Sequence, residues 1–213
     1  TEALLKEVPE AYNTQINDVL LTALCRAFRS WTGSGTLLVD VEGHGREDIF
    51  DDVDLSRTVG WFTTIYPVLL ELPETGRIGD EVKSVKEQLR SVPNRGIGYG
   101  LLRYLRRSDG PSETLGPFPE AAVSFNYLGQ IDQALSTHSQ FALAGESSGP
   151  MQAPNGKRSH LLDVNGIIAD GRSRSRVEPV ILDSTRVGIQ SRPTGWHSIR
   201  TPSPARGRCR SSL

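Results

Sequence analysis

Residues 42–47, Glu-Gly-His-Gly-Arg-Glu, carry the side chains best suited to proton transfer. One residue separates Glu42 from His44, and the glycines on both sides of the histidine let the backbone approach a substrate closely. A carboxylate shielded from water becomes more basic, because desolvation disfavours its charged form. The same residues also fit a solvated polar turn in which Arg46 pairs with Glu47 or with the acids that follow. By itself, the segment leaves both interpretations open.

A second candidate segment, residues 57–67, has a glycine before a pair of large aromatic residues. Trp61 and Tyr66 could line a channel and bind substrate there. Trp61, Phe62 and Ile65 are also of the types that most often fill a core, and composition alone favours that interpretation.

Asn126 and Tyr127 follow a strongly apolar run and form a third candidate. A polar Asn at the end of such a strand must find a hydrogen-bond partner, either in the backbone or in a substrate. A capping or turn-forming role is the alternative, and the residues alone favour it. His138 and His160 lie in strand-like segments without an adjacent acid, nucleophile or second ligand, so we expect them to be structural or exposed.

Other kinds of site lack the residues they need. The sequence contains no nucleophile elbow, no metal-binding histidine pair and no cluster of cysteine ligands. The glycine-rich run at 93–100 follows a predicted helix and lacks the Lys and Ser/Thr of a phosphate-binding loop, so a tight turn is favoured. Metal and nucleotide binding are therefore unsupported.

Composition excludes several further classes of protein. The 213 residues have a formal net charge of −1, which gives no basic field for nucleic acid. Two cysteines cannot build a disulfide framework, and no run approaches the roughly eighteen apolar residues of a membrane span. We expect a cytoplasmic protein with neither nucleic acid nor membrane as partner. Because the only methionine is Met151, we also expect the sequence to be a piece of a longer chain.

The elements that must position these residues alternate between helix and strand, which predicts an α/β fold with a mixed sheet. The first helix has an apolar stripe of Val19, Leu20, Ala23, Leu24, Ala27, Phe28 and Trp31, a cap at Asn17 or Thr14, and an end at Gly33. A strand at 36–41 and an extended run at 61–72 follow, and Pro67 inside the latter argues for an edge, a bulge or a break. Later elements are a helix at 78–92 with Ile78, Val82, Val85 and Leu89 on one face, a short helix at 101–107, and strands at 121–129, 138–144 and 160–169, the last as one strand or a hairpin.

The end of the chain differs in composition from the rest. Residues 172–213 contain nine arginines, no lysine and two acids, whereas residues 1–171 contain 15 basic and 23 acidic residues. The Arg/Ser/Pro-rich tail shows no apolar period beyond residues 177–182. We therefore predict a domain over 1–171 and a poorly packed tail over 172–213, either the product of a shifted reading frame, which we favour, or a disordered basic linker.

Five segments in order resemble the epimerization domains of nonribosomal peptide synthetases, members of the condensation-domain superfamily. These segments are INDVLLTAL at 16–24, EGHGRE at 42–47, RTVGWFTTIYP at 57–67, PNRGIGYG at 93–100 and FNYLGQ at 125–130. EGHGRE with RTVGWFT separates epimerization domains from relatives that form peptide bonds. The resemblance covers residues 1–171 and corresponds to the C-terminal half of such a domain.

The resemblance implies one chloramphenicol-acetyltransferase-like lobe, a mixed sheet with flanking helices. Complete family members have two such lobes with the active site in a tunnel between them. A peptidyl-carrier domain delivers an aminoacyl or peptidyl thioester on its phosphopantetheine arm, and the enzyme inverts Cα by removing one proton and returning another. The implied partners are a peptidyl-carrier domain and the N-terminal lobe of the same domain, and no cofactor is expected to be bound by this lobe.

The resemblance also implies roles for individual residues. Glu42 is one acid/base group, Asn126 and Tyr127 lie near the reacting centre, and the expected substrate-binding residues are His44, Trp61 and Tyr66. The opposing histidine belongs to a His-His-x-x-x-Asp-Gly motif of the N-terminal lobe, and that motif is absent from this sequence. We therefore expect the lobe to be inactive by itself.

Two other functions stay open at this point. The lobe could be a non-catalytic docking module for a carrier protein. Carrier proteins are usually acidic, so the negative balance of residues 1–171 weakens this alternative unless a basic patch such as Arg103, Arg106 and Arg107 faces the carrier. The lobe could also belong to a condensation domain that forms amide bonds, although the EGHGRE segment speaks against it.

Overall fold

The computed structural model describes residues 1–105, 119–130, 149, 158–169, 172–179 and 197–198. Within these residues the α-helices are α1 (Glu2–Leu5), α2 (Glu7–Tyr12), α3 (Ile16–Thr32), α4 (Ile78–Arg90) and α5 (Ile97–Gly100). The strands are β1 (Thr36–Gly43), β2 (Thr64–Glu71), β3 (Val123–Gln130), β4 (Leu162–Ala169), β5 (Arg172–Pro179) and β6 (His197–Ser198). The described strands form a six-stranded sheet in the order β2-β1-β3-β4-β5-β6. Strands β1, β3 and β4 pair in parallel and the other pairs are antiparallel, which confirms the predicted mixed sheet.

One face of the sheet forms the core, and its counterpart carries polar groups. Alternate residues of β1, namely Leu37, Val39 and Val41, are buried in the core. The alternate residues Asp40 and Glu42 point to the opposite face, because successive residues of a strand alternate. Core residues from the other strands are Val68 and Leu70 of β2, Val123 and Phe125 of β3, and Val164 of β4. The predicted strand at 36–41 therefore extends to Gly43 and carries Glu42 near its end.

Strand β2 lies at the edge of the sheet that the described strands form, which is one of the three arrangements expected from the proline within it. Pro67 is opposite Asp40 in the antiparallel pairing with β1. A proline cannot donate a backbone hydrogen bond, so an edge strand, with a neighbour on one side only, is where it is tolerated.

Helix α3 ends where predicted but begins with a different cap. Gly33 follows its last turn with a φ of +77°, and its N–H bonds the carbonyl of Arg29. At the start, the N-cap is Gln15 rather than Asn17 or Thr14, and the Gln15 backbone N–H donates to Oδ2 of Asp18 at 2.7 Å. Both ends are thus satisfied by local polar groups.

The buried face of α3 is rotated relative to the predicted apolar stripe. Leu21 and Cys25 are buried, whereas Trp31, the last residue of the stripe, is 71% exposed. The helix contacts α4 along its side as well as β1 beneath it, so the enclosed face lies between these two neighbours. Burial also raises the pKa of the Cys25 thiol to about 12, which keeps it protonated.

Helix α4 contributes an apolar face and one fully buried carboxylate. Val82 and Val85 are buried as predicted, but Ile78, the first residue of the helix, is 63% exposed. Glu81 is 0% exposed. The apolar pattern of the sequence does not single out this residue, which joins α4 to α3.

Two arginines of α3 hold the Glu81 carboxylate. Arg26 donates to one oxygen, and Nη2 of Arg29 donates to the other at 2.5 Å. Burial by itself would raise the pKa of Glu81, but the hydrogen bonds from Arg29 and Arg26 outweigh it and lower that pKa below its ordinary value. The ionised carboxylate therefore fastens the two helices together over the core.

The glycine-rich run at 93–100 forms a tight turn against β2. It consists of a 3₁₀ turn, Pro93–Gly96, followed by α5, and the short helix predicted next is one π-helical turn, Leu101–Leu105. Gly96 has a φ of +76°, and a Cβ there would lie 2.2 Å from the ring of Tyr66. That separation is far below van der Waals contact, so only glycine fits this position.

Gly96→Ala should therefore lower the free energy of unfolding by about 2 kcal/mol, because the added methyl overlaps the Tyr66 ring. Gly98→Ala is the matched control in the same run, since a Cβ at Gly98 meets no atom within 4 Å. Urea denaturation of both variants measures the difference. Equal midpoints for the two variants would contradict the close approach of Gly96 to Tyr66.

The last described strands include a segment of the predicted tail. Residues 160–169 contain the single strand β4 rather than a hairpin, and residues 172–179 pair with it in antiparallel register along its length. A backbone ladder needs no apolar side chains, so composition does not reveal β5. The predicted domain boundary at residue 171 and the poor packing of the tail stay predictions. The rest of the tail apart from His197–Ser198, and the predicted strand at 138–144, lie outside the described residues.

Candidate active site

A cavity of about 530 Å³ lies at the end of the sheet where β1 and β3 finish and β2 begins. Five of the six residues predicted for the site line it, namely Glu42, His44, Tyr66, Asn126 and Tyr127. The sixth, Trp61, does not line it. Part of the remaining wall comes from the start of α3, the end of α4 and the 3₁₀ turn, through Gln15, Asn17, Asp18, Leu21, Leu89, Arg90, Val92 and Arg95.

Parallel pairing of β1 and β3 places Glu42 beside Asn126. Val41 pairs with Phe125, so the next residues of the two strands are neighbours on the opposite face of the sheet. Asn126 pairs in turn with Asn165 of β4. Because Asn126 lies inside a strand, the capping and turn-forming interpretation is wrong, and its side chain is half-buried in the cavity wall.

The surroundings of Glu42 favour its uncharged form. Burial of this half-buried side chain is the largest cause, and the negative charge of Asp163 acts in the same direction. His160 opposes them, but the pKa of Glu42 is still raised above its ordinary value of 4.5. A carboxylate with a raised pKa is a stronger base near neutral pH, which is the property that proton abstraction requires.

His44 begins a chain of polar contacts at the rim of the cavity. The backbone N–H of Arg46 donates to Nδ1 of His44 at 3.0 Å, so a neutral ring carries its proton on Nε2. That nitrogen lies 3.3 Å from Oε1 of Glu47, whose Oε2 lies 3.4 Å from Nη1 of Arg95. The His44 side chain is 60% exposed, so it faces solvent at the rim.

Tyr66 forms a buried part of the same wall. Burial raises the pKa of its phenol, the charge of Glu47 adds to this effect and that of Arg95 opposes it. The hydroxyl therefore stays protonated at neutral pH and is able to donate a hydrogen bond to a bound group.

Arg46 holds the loop that follows β1. Its guanidinium donates to the carbonyl oxygens of Leu55 at 2.6 Å and Thr58 at 2.8 Å, and it lies 4.1 Å from the centre of the Phe62 ring. The predicted pairing of Arg46 with Glu47 or the acids beyond it is therefore wrong. Gly45, with a φ of +66°, allows this arrangement, because a Cβ there would lie 1.6 Å from the Phe62 carbonyl oxygen.

Arg46→Ala should release residues 48–62 and cost about 2 kcal/mol of stability, because two hydrogen bonds from a charged donor are lost. Hydrogen–deuterium exchange with mass spectrometry measures the release as faster exchange of those residues. Arg57→Ala is the matched control, since Arg57 is an exposed arginine of the same loop. The role of Arg46 would be refuted by exchange of 48–62 at the same rate in both variants.

Trp61 and Ile65 are not in the core. Trp61 is 91% exposed and Ile65 is 41% exposed, so the core interpretation is wrong for both. Trp61 lies in the segment before β2, at which point the chain has not yet joined the sheet. Its predicted contact with substrate stays a prediction, because the cavity of the described residues does not reach it.

The helix α3 supplies cavity residues that sequence reasoning missed. The sequence singles out Asn17 only as a possible helix cap and Asp18 only as part of a family segment, although two polar residues at the start of an apolar helix are a signal in themselves. Among the described residues, Oδ1 of Asn17 and Oη of Tyr127 are buried without a hydrogen-bond partner. Unpaired buried polar atoms are costly, so these two atoms mark where a polar group of a ligand would be stabilised.

Two other properties follow from the described part of the chain. It contains no group of three His, Cys, Asp or Glu side chains arranged to hold a metal ion. It also contains no helix that is both long enough and apolar enough to cross a membrane.

The sequence and the fold match known proteins. A family model described as "Condensation domain" matches residues 1–177. The chain is 52% identical over 172 residues, 80% of its length, to chondramide synthase cmdD of Chondromyces crocatus, and 46% identical over 169 residues, 79% of its length, to bacitracin synthase 2 of Bacillus licheniformis. It spans only 4% and 6% of those two proteins.

Among solved structures, the fold is similar to the epimerization domain from the third module of tyrocidine synthetase B. The TM-score is 0.72 with 37% sequence identity, over 83% of this chain and 39% of that one. An acyl transferase, PapA2, has a TM-score of 0.54 with 14% identity over 83% of this chain and 36% of its own, which is a likeness of fold alone.

Proposed function

This chain belongs to the condensation-domain family, and on that premise we propose that it is the C-terminal lobe of an epimerization domain of a nonribosomal peptide synthetase. Its substrate is an aminoacyl or peptidyl thioester on the phosphopantetheine arm of a peptidyl-carrier domain. The reaction inverts Cα by removal of its proton and delivery of another to the opposite face.

The observation that carries this proposal is the setting of Glu42. It is half-buried in the cavity, its pKa is raised, and Asn126 lies beside it on the next strand. In the proposed reaction the Glu42 carboxylate takes the Cα proton, and the electron pair of the C–H bond moves towards the thioester carbonyl. The thioester acidifies that proton, so the proposal requires neither a metal ion nor a pyridoxal group.

A second proton-transfer group must act on the other face of Cα, because one group cannot both remove and return a proton on opposite sides. We assign it to the N-terminal lobe, as the family resemblance implies. The hydroxyls of Tyr66 and Tyr127 are available for hydrogen bonds to the substrate, and both phenols have a raised pKa owing chiefly to burial.

The test is a stereochemical assay with this lobe joined to an N-terminal lobe and supplied with a loaded carrier domain. Starting from the L-thioester and, separately, from the D-thioester, the proposal expects the same L/D mixture after release and chiral chromatography. Unchanged configuration in both reactions would overturn it.

The same assay, run with a second aminoacyl carrier present, separates the alternative activities. Formation of a new amide bond would identify a condensation domain. Salt-sensitive carrier binding without any change of product would identify a docking lobe.

A further inference from the structure

A largely enclosed group of four polar side chains lies on the face of the sheet that also carries Glu42. Nε2 of His160 lies 2.8 Å from Oδ2 of Asp40, and Nδ1 lies 3.7 Å from Oδ1 of Asp163. Ser124 donates its hydroxyl proton to the same Asp163 oxygen at 2.5 Å. These distances place the imidazole between two carboxylates. The His160 side chain is 10% exposed, so water has little access to it. His160 is therefore structural, one of the two outcomes expected from the sequence, and the fold brings two acids to it that are not adjacent in the chain.

Strand register joins this group to Glu42. Asp40 precedes Glu42 by two residues, so both side chains leave β1 on the same face. Asp40 pairs with Ser124, which pairs with Asp163, and this forms a row across three strands. The next row on that face contains Glu42, Asn126 and Asn165. His160 and Asp163 thus lie one row behind the cavity, and they do not line it.

Two members of this group, Asp163 and His160, shift the pKa of Glu42 in opposite directions. The charge of Asp163 raises the pKa of Glu42 and the charge of His160 lowers it. Other ionisable side chains around the cavity are His44 and Glu47 after β1, Tyr66 of β2, Asp18 of α3, Arg90 of α4 and Arg95 of the 3₁₀ turn. Arg158 also reaches the group, with Nη1 3.6 Å from Oδ2 of Asp163. Asp40, which contacts His160, is the other ionisable side chain of the group and leaves β1 on the same face as Glu42.

We propose that His160 and Asp163, held together with Asp40 and Ser124 in the row of side chains behind Glu42, are positioning residues that set the electrostatic surroundings of Glu42. His160 and Asp163 lie in the row of side chains next to Glu42 and do not line the cavity. They therefore act on the charge of Glu42 without contacting the substrate. The catalytic consequence rests on the proposed function, whereas the electrostatic control does not.

The experiment is a carbon-13 NMR titration of the 213-residue chain labelled at the glutamate side-chain carboxyl carbon. Glu42→Gln removes one resonance and so assigns it. His160→Asn deletes the cation with little change of shape and should move the Glu42 titration midpoint to higher pH. Asp163→Asn deletes the anion and should move it to lower pH. Shifts of opposite sign are the expected result.

The matched control is His44→Asn, the same substitution at a histidine nearer to Glu42 in sequence but with a largely exposed side chain. It should leave the Glu42 midpoint in place. Midpoints that coincide with the wild type in both test variants, or that move in the same direction, overturn the proposal. If His160→Asn does not fold, Asp163→Asn decides the matter by itself, because an unshifted midpoint there refutes the control of Glu42.

Failure of this proposal and failure of the proposed function give different results. If Glu42→Gln retains inversion while the titration midpoints shift as expected, the assigned chemistry is wrong and the electrostatic control stands. If Glu42→Gln loses inversion but the midpoints do not move, the chemistry stands and His160 and Asp163 have no such role.

Discussion

Replacing Glu42 with glutamine should slow inversion of the carrier-bound thioester by about 10³-fold in the complete two-lobe domain. Glutamine keeps the shape of the side chain but cannot accept a proton, and a positioned acid/base group typically contributes about 10²–10⁴-fold. The measurement is the rate at which the D-thioester appears from the L-thioester, followed by chiral chromatography after release from the carrier.

The control for this prediction is Glu71→Gln. Glu71 is an exposed residue at the far end of β2, where it pairs with Thr36 at the start of β1, so it shares the two strands with the site but lies away from the cavity. This variant should invert the substrate at the wild-type rate. Near wild-type inversion by a folded Glu42→Gln variant would remove Glu42 from the mechanism.

Replacing Glu81 with glutamine should lower the free energy of unfolding by about 3 kcal/mol, the largest stability effect we expect. The change leaves Arg26 and Arg29 facing each other across a neutral amide, without the carboxylate that both now contact. Urea denaturation at neutral pH measures the loss. Glu87→Gln on the same helix is the control. The Glu87 side chain is 66% exposed and contacts Lys86 and Arg90 at the surface, where ion pairs contribute about 0–1 kcal/mol.

The stability difference between the wild type and Glu81→Gln should depend on pH. Because the folded-state pKa of Glu81 is lowered, the ion pair contributes fully above the ordinary glutamate value of 4.5. Its contribution is lost as the pH falls through the lower folded-state value. The difference in free energy of unfolding between the wild type and Glu81→Gln should be constant above pH 4.5 and should become smaller below it. A difference that widens on acidification would contradict the assigned contacts of Glu81.

Sequence periodicity predicts those elements whose packing is decided by their own residues. The alternation of Leu37, Val39 and Val41 defines β1 and its buried face, and Pro67 limits β2 to an edge, a bulge or a break, because each signal reflects a constraint within a few residues. Gly33 likewise ends α3 through a local constraint, since the residue after the last turn has a φ of +77°.

Features that depend on distant partners are hidden from such reasoning. From the sequence, Glu81 is indistinguishable from the other charged residues of an amphipathic helix, because the arginines that bind it lie more than fifty residues earlier. His160 reads as an isolated histidine, because strand pairing alone brings Asp40 to it across 120 residues. The prediction that Trp61 lies in the core was wrong, because an aromatic residue type does not indicate whether the surrounding loop packs against the core.

For the candidate site, the family segments located the residues and the structure located their surroundings. Glu42, Asn126 and Tyr127 line one cavity because parallel β1 and β3 finish at the same end of the sheet. Asn17 was missed because its importance lies in an unpaired oxygen atom, which only three-dimensional packing reveals.

The central claim is that Glu42 acts on one face of Cα, and the most direct test measures proton loss from each enantiomer separately. L- and D-thioesters deuterated at Cα are loaded on the carrier, and loss of deuterium to water is followed with the wild-type and Glu42→Gln two-lobe domains. We predict that the variant loses exchange from the one enantiomer whose Cα proton faces Glu42 and retains it from the other. Exchange from both enantiomers at near wild-type rates would contradict the claim.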